Sequence, residues 1–336
     1  MPINVVLLGF GTVGESVYRT IASHQDGLRK ILGTEIVVKG VLVKDARKPR
    51  NIASDVLVTT DFKKLLELPK IDAAIEAIVG VEPAYTYGVK FLNAGIPVIT
   101  ANKEMAAHKG EKLRREADAN GTEFHFEAAV AGGIPIIAVL NQLLHANRVS
   151  KIEGILNGTS NFILSTMRGE GISFDEALKR AQRNGYAEAD PSNDILGKDS
   201  FYKLMIISEL VFGKQPEWKK VECTGINELS IKDFEEASAG GQRIKLVASI
   251  GKDEDGNITA AVEPQSLNET HPLYHVEGVD NGIVVHTDLL GRLFLQGPGA
   301  GGLPTASAIL EDLTQHFQKN PNPKPFREAS KVRAIH

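Results

Sequence analysis

The sequence predicts an α/β protein: a doubly wound parallel sheet at the N-terminus, followed by a second α+β domain. Three observations predict it. Short β-rich runs alternate with amphipathic stretches through the first third of the chain, as in βαβ units. A glycine-rich turn separates the first apolar run from the first helical one. After Glu127 the texture changes: Ala131-Gly132-Gly133 breaks the alternation, and helices and then a group of strands follow.

In chain order, the first domain should contain strands over 4–9, 35–43, 73–79, 97–100 and 123–127, with helices over 13–24, 83–93 and 104–120. Asn93-Ala94-Gly95 and Asn120-Gly121 supply turn residues where helices should stop. A helix over 134–145 opens the second domain with Pro135 near its start. A strand over 151–156 and helices over 160–167, 173–184 and 194–212 come next. Strands return over 243–250, 258–264, 283–287 and 291–296, and a last helix covers 305–318. At 336 residues, about two domains are expected. We place a nucleotide-binding domain at 1–130, completed by the C-terminal helix at 303–320, and a second domain at 131–302.

Hydrophobic residues at 42% and charged residues at 24% argue against long disorder. A net charge of −4 without a Lys/Arg block disfavours a nucleic-acid partner. One cysteine, Cys223, excludes an internal disulfide framework and a multi-cysteine zinc site. Its acidic neighbours Glu217 and Glu222 should raise its pKa, which makes it a structural thiol. Met1-Pro2-Ile3-Asn4 runs straight into a strand without a basic, apolar leader, and no apolar run approaches the ~20 residues of a membrane span. A cytoplasmic protein without a membrane partner is expected.

The run Val5-Val6-Leu7-Leu8-Gly9-Phe10-Gly11-Thr12-Val13-Gly14 is a strand, a G-x-G-x-x-G turn and a helix start, the context a Rossmann-type dinucleotide site requires. Gly9 allows the tight turn, Gly11 lets the backbone approach a pyrophosphate, and Gly14 lets helix pack on strand. The first-turn N–H groups and helix dipole then face the phosphates. After the second strand the chain reads Val43-Lys44-Asp45-Ala46-Arg47-Lys48-Pro49-Arg50. Lys44 and Arg47, among four cations, suit a 2′-phosphate and favour NADP. Asp45 keeps an NAD ribose contact open, and a solvated basic loop is the plain alternative.

The segment from Asn184 to Leu204 carries four carboxylates (Glu188, Asp190, Asp194, Asp199) and two lysines (Lys198, Lys203). Asp199 and Lys203, four apart, lie one helical turn from each other and can pair. Leu196, Ile206, Ile207 and Leu210 share their stripe, so the pair is not on a solvated face. It is either a buried structural ion pair or a catalytic one.

With these residues in view, the chain resembles the homoserine dehydrogenase family along nearly its whole length. The resemblance rests on the glycine fingerprint, Thr100-Ala101-Asn102-Lys103, the 127–135 run E-A-A-V-A-G-G-I-P, Asn157-Gly158-Thr159-Ser160-Asn161, and the Tyr186-to-Lys203 run, in the family's order. It implies NAD(P)-dependent reduction of L-aspartate 4-semialdehyde to L-homoserine in threonine and methionine biosynthesis. It assigns Lys203 as general acid, Asp199 as its partner, and Lys103 to the junction of cofactor and substrate. It makes Tyr186, Glu188, Asp194, Gly158 and Thr159 substrate contacts. Thr100, Gly302 and Thr305 would approach the cofactor, beside Phe10, Thr12 and Val13 of the fingerprint. A monovalent cation, Na+ by preference, is implied at the Glu127 carboxylate and the carbonyls of Val130, Gly132 and Ile134, and a homodimer through the second domain's sheet. The regulatory ACT domain that many members carry is not expected after the last helix. Aspartate-semialdehyde dehydrogenase, which shares the metabolite, would need a nucleophilic cysteine that Cys223 does not resemble. A dinucleotide sensor that lost its chemistry should have lost some of Lys103, Glu188, Asp199 and Lys203.

Overall fold

Strand β1 (Ile3–Leu8) is buried at every position, which explains its unbroken apolar run: a parallel strand covered on both faces has no polar side. Helices α1 (Thr12–Ser23) and α2 (Gln25–Leu32) lead to β2 (Ile36–Leu42), β3 (Leu57–Thr59) and α3 (Phe62–Leu66). Then come β4 (Ala73–Glu76), α4 (Ala84–Asn93), β5 (Val98–Thr100), α5 (Lys103–Ala119) and β6 (Phe124–His125). All six strands run parallel in the order β3-β2-β1-β4-β5-β6. The strand order reverses between β1 and β4, so a crevice opens beyond their C-terminal ends. The computed structural model describes residues 1–318.

A 3-10 turn (Glu127–Ala129) leads into α6 (Ile136–Leu143), β7 (Val149–Ile155), α7 (Gly158–Glu170), α8 (Phe174–Arg183), α9 (Ser192–Ile195) and α10 (Lys198–Phe212). Strand β8 (Glu222–Cys223), α11 (Ile231–Ala239), β9 (Arg243–Lys252), β10 (Ile258–Leu267), β11 (Asp280–Thr287), β12 (Arg292–Pro298) and α12 (Gly302–Phe317) complete the described residues. The second sheet has the order β12-β11-β7-β9-β10-β8, antiparallel except where β8 joins β10.

Alternation along β1 separates two cores. Val5 and Leu7 pack with Val17 and Ile21 of α1 and with Ala306, Ile309 and Leu313 of α12. Val6 and Leu8 face Phe91, Met105 and Leu113, in a core continuous with Ile163, Leu204 and Ile207 beyond. Helix α12 therefore covers the first sheet, although its sequence follows the second. The expected extension of this helix to residue 320 runs past the described residues.

Several expected elements are shorter than the sequence pattern suggests, β6 and α6 among them, and two of the differences have a local cause. The strand expected to reach residue 79 stops at Glu76, whose Oε1 accepts from the Ile78 N–H at 2.6 Å and turns the chain. The long helix expected over 194–212 is broken: α9 ends at Ile195, and Gly197, at φ +77°, starts α10 afresh. Leu196 thus lies outside the stripe on which Asp199, Lys203, Ile206 and Ile207 are buried. Elements α2, β3, α3, β8 and α11 were not expected. All five have nine residues or fewer, and α2 follows α1 at His24 without a glycine or proline between. Among the described residues, no helix is long and apolar enough to cross a membrane.

Candidate active site

Helix α10 opens on Gly197, and its first turn carries Asp199, where the helix dipole favours a carboxylate. Asp199 is 2% exposed and touches two ammonium groups. Lys203 Nζ, one turn along, lies 2.8 Å from its Oδ2, and Lys103 Nζ from the first domain pairs with its Oδ1. Lys203 also donates to the Leu156 carbonyl at 2.6 Å, at the end of β7. Burial alone would raise the Asp199 carboxyl. Lys203, Lys103 and the Asn157 amide together outweigh it and hold the group far below the ordinary aspartate range. Burial lowers Lys203, with Asp199 opposing. The charge of Asp199 raises Lys103, against burial.

Asn157 fixes the other acid. As N-cap of α7 it accepts the Ser160 N–H on Oδ1, which turns its Nδ2 outward. That amide donates to Asp194 Oδ1 at 2.7 Å and Asp199 Oδ2 at 3.0 Å, joining α9 to α10. Asp194 is raised by burial and then by Asp199, with Asn157 opposing. Thr159 is buried, and its hydroxyl donates to the Tyr186 carbonyl at 2.6 Å, so it tethers the loop that carries Tyr186 and Glu188. Tyr186 is 44% exposed and edge-on to Phe162. Glu188 is exposed, and its charge reaches Lys103. Gly158 lies against the Val279 carbonyl, where a side chain would collide.

Lys103 is the first residue of α5, and Asn102 caps that helix by accepting from Met105 N–H. Behind it the Thr100 hydroxyl donates to Glu76 Oε2 at 2.5 Å and accepts from Asn102 N–H at 2.9 Å. Thr100 is fully buried, so its side chain is occupied within the protein, and only its backbone remains for a ligand. Glu76, with no cation against it, is raised by burial to about 7.

At the crevice, Gly9 (φ +101°) is so close to the Ala77 carbonyl that a Cβ would lie 2.7 Å from it, and a Cβ on Gly14 would overlap the Gly9 carbonyl. A Cβ on Gly11 would meet nothing within 4 Å. Two glycines therefore serve packing, and the third faces open space above the start of α1. Phe10, Thr12 and Val13 border that space, with Gly11 and Thr12 exposed. The donor set suits a pyrophosphate. Lys44 and Arg47 are exposed beyond β2, and Arg47 Nε sits 3.2 Å from Asp45 Oδ1. Gly302 abuts Ser16 and Thr12 of α1, and Thr305 is buried in the next turn of α12. Gly132 meets the backbone of Gly299, so the two glycine loops touch. The Glu127 carboxylate oxygens accept from Ile137 and Ala138 N–H, each at 2.8 Å, at the start of α6. The Ile134 carbonyl accepts from Ile136 N–H. Each of these oxygens keeps a further lone pair, so the set fits oxygen ligation of a cation.

Two sequence profiles match the chain: one described as homoserine dehydrogenase over residues 135–314, the other as the homoserine dehydrogenase NAD-binding domain over 9–127. The homoserine dehydrogenase of Bacillus subtilis is 39% identical over 93% of this chain and 72% of its own length. The chain belongs to the homoserine dehydrogenase family. A solved homoserine dehydrogenase from Thiobacillus denitrificans superposes with a TM-score of 0.90 at 40% identity, over 95% of this chain and 74% of the other. A hyperthermophilic archaeal homoserine dehydrogenase, solved in complex with NADPH, reaches 0.80 at 31% identity, over 96% and 99%.

As a homoserine dehydrogenase, the chain is an NAD(P)-dependent oxidoreductase, and the family's reaction interconverts L-aspartate 4-semialdehyde and L-homoserine. Sequence reasoning missed two residues that shape this site. Asn157 was legible as a helix cap but not as the link between two acids. Glu76 was legible as the sole acid in the run Ala73-Ala74-Ile75-Glu76, a signal that an apolar strand reading passes over. For Cys223, burial raises the thiol while Lys198 pulls the other way, so Glu217 and Glu222 are not the cause. A raised thiol does not suit a thioester-forming enzyme.

Proposed function

We propose that Lys203 is the general acid of a homoserine dehydrogenase reaction and that Asp199 keeps it charged and oriented. The observation that carries this is the buried Lys203–Asp199 pair, met where the two domains join by the part-exposed Lys103. Two of the Lys203 ammonium hydrogens are engaged, by Asp199 and Leu156, which leaves one for a carbonyl oxygen. A bound nicotinamide dinucleotide supplies or accepts the hydride. As negative charge grows on the aldehyde oxygen, Lys203 donates its proton, and a pKa lowered by burial makes it a better acid than free lysine. Lys103 balances Asp199 from the first domain. Glu188 and Asp194 suit the substrate's ammonium, the first-turn N–H groups of Gly158 and Thr159 suit its carboxylate, and Tyr186 borders the mouth.

The dinucleotide lies over Gly9–Gly14, with Phe10, Gly11, Thr12 and Val13 at the pyrophosphate and the Thr100 backbone, Gly302 and Thr305 beside it. Lys44 and Arg47 favour NADP over NAD. A monovalent cation, Na+ by preference, would rest on the Glu127 carboxylate and the carbonyls of Val130, Gly132 and Ile134. The protein works as a homodimer through its second sheet, in the cytoplasm, where the free thiol of Cys223 stays reduced. The test is oxidation of NADPH and NADH, in parallel, on adding L-aspartate 4-semialdehyde. Turnover faster with NADPH is expected. No turnover with either cofactor, from folded protein with Na+ or K+ present, overturns the substrate assignment.

A further inference from the structure

Outside the acid–lysine cluster, three ligating side chains converge at the far edge of the first sheet. Glu123 and His125, two apart on the chain entering β6, project to one side. His316, in the last turn of α12, meets them there. Glu123 Oε2 lies 2.9 Å from His125 Nε2 and 2.7 Å from His316 Nδ1, and the two ring nitrogens are 3.2 Å apart. Among the described residues this is the one group of three His, Cys, Asp or Glu side chains so closely gathered.

We propose that Glu123, His125 and His316 form a binding site for a first-row divalent transition metal, with Zn2+ as its test ion. The three atoms make a nearly equilateral triangle. A point about 2.0 Å from all three, the usual zinc–nitrogen and zinc–oxygen distance, lies roughly 1 Å out of their plane. Seen from it, the ligands subtend angles of about 80–105°, suited to three adjacent positions of a metal shell with the others open. Each neutral imidazole nitrogen holds one proton or one lone pair, so hydrogen bonds cannot satisfy all three edges at once. A cation at the apex satisfies all three. The rings are positioned for it: the side chains of His125 and His316 are 15% and 19% exposed, which limits their rotation. All three side chains line a cleft of about 750 Å³ between α5, α6 and α12, which His145 and Gln142 also line.

The ligands are 191 residues apart in the chain, so the ion would staple the sheet edge to α12. The other end of α12 begins at Gly302, against the dinucleotide helix α1. Metal binding should therefore stabilise the fold and stiffen the helix that borders the cofactor crevice.

The test uses the untagged full chain in a Cys223→Ser background, stripped of metal, with Zn2+ titrated by calorimetry and melting followed alongside. One ion per chain with micromolar affinity and a rise in Tm are expected. His316→Gln and His125→Gln should each weaken binding about 100-fold and abolish the rise in Tm. Glu123→Gln, at a side chain 59% exposed, keeps the test available if a histidine variant folds poorly. No uptake by the parent, or uptake unchanged in the variants that fold, overturns the site.

Discussion

Asp199 and Glu76 are both buried carboxylates, on either side of the domain junction, and they shift in opposite directions. A short relay joins them: Glu76 to the Thr100 hydroxyl, Thr100 to the Asn102 backbone, then Lys103 to Asp199. Burial raises both. At Asp199 two ammonium groups and an amide reverse the effect, whereas Glu76 has only neutral donors and rises to about 7. The chain thus gathers charge around Asp199 and leaves Glu76 without a counter-ion, which favours its neutral form. Glu76 directly precedes Ala77, whose carbonyl crowds Gly9, so protonation removes a negative charge from beneath the turn proposed to hold a pyrophosphate.

The largest effect should come from breaking the charged side of this contrast. Lys203→Ala is expected to lower kcat by about 10³-fold or more, as loss of a general acid and of charge at the developing oxyanion combine. Dinucleotide affinity, read from quenching of protein fluorescence, should stay within about twofold. Lys103 still faces Asp199 in that variant, so the protein should fold, at a cost of about 3 kcal/mol for breaking a buried pair. A kcat within tenfold of the parent would reduce the Lys203–Asp199 pair to a structural role.

The next effect lies on the neutral side and is one of stability. A Glu76 pKa raised from 4.5 to about 7 means that the group's favourable contribution is complete below pH 4.5 and is lost as pH rises through 7. The loss amounts to about 3 kcal/mol by pH 8 and beyond. Glu76→Gln cannot ionise. Relative to the parent, it should therefore be more stable at pH 8 than at pH 5, whatever the fixed cost of the altered hydrogen bonds to Thr100 and Ile78. Urea denaturation at the two pH values measures this. A difference between parent and variant that does not change with pH would show that Glu76 is ionised throughout.

The same contrast separates what the sequence revealed from what it hid. Features set by local backbone chemistry were legible: the apolar strand, the three glycines at the turn into α1, the four-residue spacing of Asp199 and Lys203. Features that depend on which parts of the chain meet in space were not. Nothing local tells that Asn157 reaches two acids 37 and 42 residues away, or that Thr100 turns its hydroxyl inward to Glu76 and not outward to a ligand. Nor does anything local tell that the Glu127 carboxylate meets the start of α6, where the turn after it brings the Ile137 and Ala138 N–H groups within 2.8 Å. Continuous helical periodicity across 194–212 concealed the break at Gly197, where a left-handed glycine starts a new helix and sets the phase of Asp199.

The smallest effect should come from an acid–cation pair that is exposed and so lacks the strength of the buried one. Arg47 is 93% exposed along its side chain, and it contacts Asp45 with both its backbone N–H and its guanidinium. Arg47→Ala removes a partner for a 2′-phosphate and releases Asp45 to accept from a ribose hydroxyl. The ratio of kcat/KM for NADPH over NADH should fall by about fivefold, the scale of an exposed ion pair. Exposed charges are screened, so the change in ratio should shrink toward none as salt rises to about 1 M. The Lys203→Ala loss, set in a dry pocket, should persist at the same salt. A ratio that stays unchanged in Arg47→Ala at low salt would place the 2′-phosphate away from this loop. A fivefold change that salt does not diminish would mean that the bound dinucleotide buries Arg47, and that the loop beyond β2 closes over it.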